Sequence, residues 1–204
     1  MNTIRHFFFK LPFHYGWIIS ITGTLCIFAC LGLGRFSLGM VLPSMGEALN
    51  LSYSQMGFIS TANFIGYLLG VLFCGKVLKL AGARNLIIFA LLLVGGSMIA
   101  ISYSESVYTI TLLYIITGVG SAFANVPIMA IISRWFVKEK RGAAAGVAVV
   151  GSGFAIILSG ILIPLLNSCY EDGWRVSWVV LGCLVICCCA ICFVTLINSP
   201  EDIK

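Results

Sequence analysis

Six long stretches of this chain contain no Asp, Glu, Lys or Arg: 11–46 apart from Arg35, then 48–75, 85–104, 106–133, 142–170 and 176–200. None is shorter than 20 residues. A helix rises about 1.5 Å per residue and the hydrocarbon core of a bilayer is about 30 Å thick, so roughly 20 apolar residues make one crossing. The pattern therefore predicts an all-α integral membrane fold of six transmembrane helices, near 15–45, 53–75, 85–104, 107–133, 142–166 and 175–197. Dividing 204 residues by six leaves 34 for each helix with its loop, too few to add a soluble domain. Charged residues make up 9% of the chain, against about 25% in soluble domains, which excludes an ordinary globule. A disordered chain is excluded too, because it would be poor in apolar residues and rich in charge.

The cations fix an expected orientation. Arg5 and Lys10 precede the first window; Lys76, Lys79 and Arg84 separate the second from the third; Arg134, Lys138, Lys140 and Arg141 separate the fourth from the fifth; Lys204 ends the chain. The alternate connections hold Arg175 as their only cation, against Glu47, Glu105, Glu171 and Asp172. The positive-inside bias then puts both termini in the cytoplasm of a multi-pass cell-membrane protein. These cations form short clusters and not a continuous basic face, so the net charge of +5 does not point to nucleic acid. The first apolar run is too long for a signal peptide and has no convincing cleavage site, so it reads as a retained helix. His14, Tyr15 and Trp17 would meet the headgroups at its start.

There are nine cysteines; the cluster Cys183, Cys187, Cys188, Cys189 and Cys192 in the sixth window has no His or carboxylate neighbours, and buried Cys packs as a small hydrophobe. No metal and no cofactor is expected. Gly66 and Gly70 form a G-x-x-x-G pair, and Gly142, Gly146, Ala148, Gly151 and Gly153 give the fifth window a strip of small residues suited to close packing in lipid. Pro43, Pro127 and Pro164 lie inside windows, where each removes a backbone donor.

Several segments carry a family resemblance. The stretch 75–84, with Gly75, Lys76, Lys79, Gly82 and Arg84, resembles the cytoplasmic loop motif of the major facilitator superfamily, G-x-x-x-D-R/K-x-G-x-R/K. It departs from it at Lys79, where the family has an acid, and at the following Leu80. The segments His14-Tyr15-Gly16-Trp17, Gly32-Leu33-Gly34-Arg35-Phe36, Arg134-Trp135-Phe136 and Gly173-Trp174-Arg175 are similar to segments of monocarboxylate and oxalate/formate exchanger relatives. The family's fourth-window Arg would fall at Tyr114 and is absent. The resemblance implies a half bundle of two inverted three-helix repeats that moves small solutes by alternating access. It also implies a conformational role for Gly75, Lys79, Gly82 and Arg84. Such transporters have twelve helices in two halves, so the chain is expected to be the N-terminal half, with 198–202 starting the linker to a second half supplied in cis or in trans.

Helical periodicity nominates the cavity residues. Tyr114, Thr117, Ser121 and Asn125 share one face of the fourth window; Ser60, Asn63 and Tyr67 share one of the second; Ser152 and Ser159 lie seven apart in the fifth. Each could serve equally as an interhelical hydrogen bond. Among Asp, Glu, Lys and Arg, Arg35 alone lies inside a window, and intramembrane arginines face a bundle interior or a wet path unless they snorkel to the headgroups. Its planar fork suits a carboxylate. All seven acids lie at window edges or in loops, so no buried acid is available to carry a coupled proton. The expected substrate-binding set is Arg35, Asn63, Tyr67, Tyr114, Ser121 and Asn125, acting on a small organic anion. Drug efflux, or a six-helix scaffold without transport, is the alternative. The sequence offers no nucleophile and base pair, so no enzyme activity is expected.

Overall fold

A computed structural model describes residues 15–198. Arg5, Lys10, His14 and residues 199–204, with Lys204 and most of the expected linker, lie outside that range. Among the described residues there are six helices long and apolar enough to cross a membrane: α1 Tyr15–Ala48, α2 Tyr53–Ala81, α3 Ala83–Ser102, α4 Val107–Trp135, α5 Lys138–Cys169 and α6 Gly173–Thr195.

Their ends follow local chemistry. Ser52 and Gln55 form a reciprocal capping box that starts α2, the Ser52 hydroxyl accepting from Gln55 N (3.3 Å) and Ser52 N donating to Gln55 Oε1 (2.8 Å). At the other end α2 continues past Gly75 through Lys76 and Lys79, so most of the expected loop motif is helix. The turn narrows to Gly82, whose φ of +75° suits a residue without a Cβ. Helices α1, α4 and α5 continue through Pro43, Pro127 and Pro164.

The helices form one packed bundle. Helix α4 packs on α2 and α3; helix α1 packs on α5 and α6; α3 against α6 closes the assembly. Close approach is made by glycines: a Cβ on Gly66 would run into the Ile115 carbonyl, one on Gly118 into the Asn63 carbonyl, and one on Gly151 into the Thr24 carbonyl. The G-x-x-x-G pair thus lies at the α2–α4 contact. The strip on α5 divides: Ala148 and Gly151 meet α1, whereas a Cβ added at Gly142, Gly146 or Gly153 would enter open space. Of the cysteines in α6, Cys188, Cys189 and Cys192 are buried in the packing, and Cys183 and Cys187 are exposed.

One end of the bundle joins α1, α4 and α6. Tyr15 Oη donates to Thr195 O (3.0 Å), Trp135 Nε1 to Ile197 O (3.3 Å), and Trp17 stands edge-on to Phe136 at 5.3 Å. At the other end Arg175 holds α6 to α3, donating to the Ser102 carbonyl, lying over the Trp174 ring at 4.4 Å and pairing with Glu105 at 3.7 Å. The Glu105 side chain is 85% exposed, so water screens that pair. Glu105→Gln is expected to change stability by less than about 0.5 kcal/mol, whereas Arg175→Ala, which frees a carbonyl and uncovers a Trp face, is expected to cost about 1–2 kcal/mol in thermal unfolding.

Candidate functional site

The middle of α1 is not α-helical. Residues Phe28–Phe36 form a nine-residue π-helix between the α-helical segments Tyr15–Ile27 and Leu38–Ala48. Such segments are usually a single turn and concentrate at functional positions. Small residues allow the wide winding to fit: Gly32 faces Ala155 and Ser152 of α5, and Gly34 faces Val94 of α3 and Ser121 of α4. Side chains of α4, and Ser37 at the end of the segment, satisfy carbonyls of the segment. Ser121 Oγ donates to Cys30 O (2.7 Å), Tyr114 Oη to Arg35 O (3.0 Å), and Ser37 Oγ to Leu33 O. The changed pitch rotates everything that follows about the helix axis and so sets where Arg35 points.

The Arg35 guanidinium lies over the Phe64 ring at 4.0 Å and near the Tyr67 ring at 4.8 Å. Tyr67 is the midpoint of α2, so the charge sits level with the helix centre and is not carried out to the headgroups. Its Nε is buried and hydrogen-bonded to nothing, and among the described residues the single ion pair is Arg175 with Glu105. Two aromatic faces stabilise the cation without neutralising it, leaving its fork able to take a carboxylate. Tyr67 continues the polar row: its hydroxyl accepts from Asn125 Nδ2 (2.8 Å), which leaves its own proton to donate elsewhere.

The structure thus brings together Arg35, Tyr67 and Asn125. The other three expected binding residues hold helices together. Asn63 is buried and donates through Nδ2 to Tyr114 O (3.1 Å); Tyr114 is buried with its ring edge-on to Trp178 at 6.0 Å; Ser121 is buried and bonded to both Cys30 O and Thr117 O. Thr117 pairs with Ser97 at 2.8 Å, while Ser60 and Ser152 bond back to their own helices. Tyr114→Phe removes a bond to a carbonyl of the π segment and is expected to cost about 1 kcal/mol, read as a lowered apparent melting temperature.

Among the motif residues, Gly75 and Lys79 are exposed on the last turns of α2. Arg84 is engaged: its backbone N–H donates to Asn198 Oδ1 (2.8 Å) and its Nη2 to Phe193 O (2.6 Å). It therefore ties the start of α3 to the end of α6. Sequence reasoning missed Phe64, which shares a helix face with Tyr67 three residues on, and it missed the π segment altogether. The first carried a signal in its i, i+3 spacing; the second carried only paired glycines.

Residues 24–204 match the sequence model of the Major Facilitator Superfamily. The putative uncharacterized transporter YgaY of Escherichia coli is 32% identical over 142 residues, 68% of this chain and 35% of that protein. The 4-hydroxybenzoate transporter PcaK of Acinetobacter baylyi is 22% identical over 79% of this chain and 35% of its own length. Monocarboxylate transporter 14 of Mus musculus is 23% identical over 93% of this chain and 36% of its own length. The chain thus spans about a third of the length of these relatives. Its six apolar helices and the family match over nearly its whole length lead to one assignment: the chain belongs to the Major Facilitator Superfamily.

Proposed function

We propose that this chain forms one half of an alternating-access carrier that moves a small organic anion across a cell membrane, with both termini cytoplasmic. The observation that carries the reading is the Arg35 guanidinium, held at mid-helix between Phe64 and Tyr67 with no carboxylate partner among the described residues. An intramembrane cation left unneutralised is costly unless an anion or water meets it. Arg35 would bind the carboxylate, and Tyr67, set by Asn125, would donate to a second oxygen of the substrate. Two relatives are named for carboxylate substrates, 4-hydroxybenzoate and monocarboxylates, which favours an anion over a neutral drug.

The second half would dock on the faces left open. The exposed glycines Gly142, Gly146 and Gly153 leave room on α5 for a close helix. Lys76, Lys79, Lys138, Lys140 and Arg141 at one end, against Glu105, Glu171 and Asp172 at the other, support the cytoplasmic orientation. The test is uptake by the complete polypeptide of radiolabelled carboxylates against neutral solutes of equal size. Saturable uptake of an anion supports the reading, and uptake confined to neutral or cationic compounds overturns it.

A further inference from the structure

A groove of about 770 Å³ runs along the outside of the bundle between α5 and α6, with α1 as its floor. It shares no residue with the Arg35 cluster. Ile21, Leu25 and Phe28 of α1, Val150 and Phe154 of α5, and Ile191 of α6 make its walls. The hydroxyls that reach it are already committed. Thr22 Oγ1 donates to Thr195 Oγ1 (3.0 Å), Thr195 Oγ1 to Ile191 O (2.9 Å), and Thr24 Oγ1 contacts Ser20 O (3.2 Å) and Val147 O (3.0 Å) as acceptors. The groove therefore presents hydrocarbon to its occupant.

Its mouth is different in character. Lys140 lies seven and fourteen residues before Val147 and Phe154, so it shares their face of α5, with Val147 about 10 Å below it along the axis. Lys138 and Arg141 are exposed beside it, with Glu139 as the one acid of that turn. Trp17, 39% exposed and edge-on to Phe136, marks the interfacial level next to the groove residue Ile18. A hydrocarbon slot with Lys140 in register above it, and without a carboxylate partner for that lysine among the described residues, has the amphipathic layout of one kind of molecule.

We propose that this groove binds an anionic phospholipid from the leaflet facing Lys140, with an acyl chain along α1 and α5 and its phosphate on that lysine. Cations next to a membrane helix attract anionic headgroups. Here Lys140 stands in register with a slot, so the bound molecule is held by both ends, unlike the lipid around the rest of the bundle.

The test is native mass spectrometry of the purified chain in detergent, after incubation with equal amounts of phosphatidylglycerol and phosphatidylcholine of matched acyl chains. The unchanged protein is expected to retain phosphatidylglycerol about tenfold over phosphatidylcholine. The variant Lys140→Gln, altered only at an exposed position, is expected to bring the two lipids to parity. Val150→Trp, which fills the slot, is expected to lower retention of both, whereas Val149→Trp, exposed but outside the groove, leaves the preference in place. Equal retention of both lipids by the unchanged chain overturns the site, as do matching results for the two Trp variants. Dimers that vanish with Val150→Trp, with no lipid preference, would make the groove a contact between copies and overturn it as well.

Discussion

Arg35→Gln in the complete transporter is expected to reduce uptake of the anionic substrate by about 100-fold or more while leaving expression and folding intact. The magnitude follows from the contact being removed. Truncating one partner of a desolvated charged pair costs about 2–5 kcal/mol, and each 1.4 kcal/mol is tenfold in affinity. The stability arm separates binding from structure. Arg35 has no anionic partner among the described residues, so Gln removes an uncompensated charge from the apolar interior, and the apparent melting temperature is expected to hold or rise. Arg35→Lys keeps the charge but loses the planar stack on Phe64 and the bidentate fork, and is expected to fall between. Unchanged uptake by Arg35→Gln at normal expression would remove Arg35 from the binding site.

The largest effect on folding is expected at Gly118. Its missing Cβ faces the Asn63 carbonyl, and Gly66 faces the Ile115 carbonyl, so α2 and α4 meet backbone to backbone with nothing flexible to yield. Gly118→Leu must push the helices apart, which breaks the Asn63–Tyr114 bond (3.1 Å) and loosens the Asn125–Tyr67 bond (2.8 Å) above it. Overpacking costs about 1–3 kcal/mol, and a lost interhelical bond adds about 0.6–2 kcal/mol. A drop of about 6–12 °C in apparent melting temperature follows for a chain of this size. Gly142→Leu is the matched control, because a Cβ at Gly142 would enter open space, and it is expected to leave unfolding unchanged. Equal melting of the two variants would mean that α2 and α4 do not pack as described. Uptake should fall with Gly118→Leu even where the protein remains folded, since Tyr67 and Asn125 are carried on the two displaced helices.

The two variants probe different things because the polar residues of the spans do different work. Offsets of three, four and seven identify a shared face, but both a cavity lining and an interhelical bond occupy such a face. Asn63 and Tyr67 sit one turn apart on α2, yet Asn63 is spent on the Tyr114 carbonyl while Tyr67 turns toward Arg35. Tyr114 and Asn125 divide in the same way on α4. Which neighbour a polar atom meets depends on how the two helices are rotated against each other, and the glycines at their crossing control that rotation.

What the sequence determined by itself is the crossing of a membrane six times, because hydrocarbon thickness converts charge-free length directly into span number. It also determined the alternation of basic and acidic connections and the close-packing glycine pair at Gly66 and Gly70. The tertiary structure alone decided the direction of Arg35. Its placement depends on a π-helix that exists because Gly32 and Gly34 pass close to α5 and α3, and because Ser121 and Tyr114 of α4 occupy carbonyls of that segment. Local propensity cannot report such a segment, since the bonds that sustain it come from residues about 80 to 90 positions away in the chain.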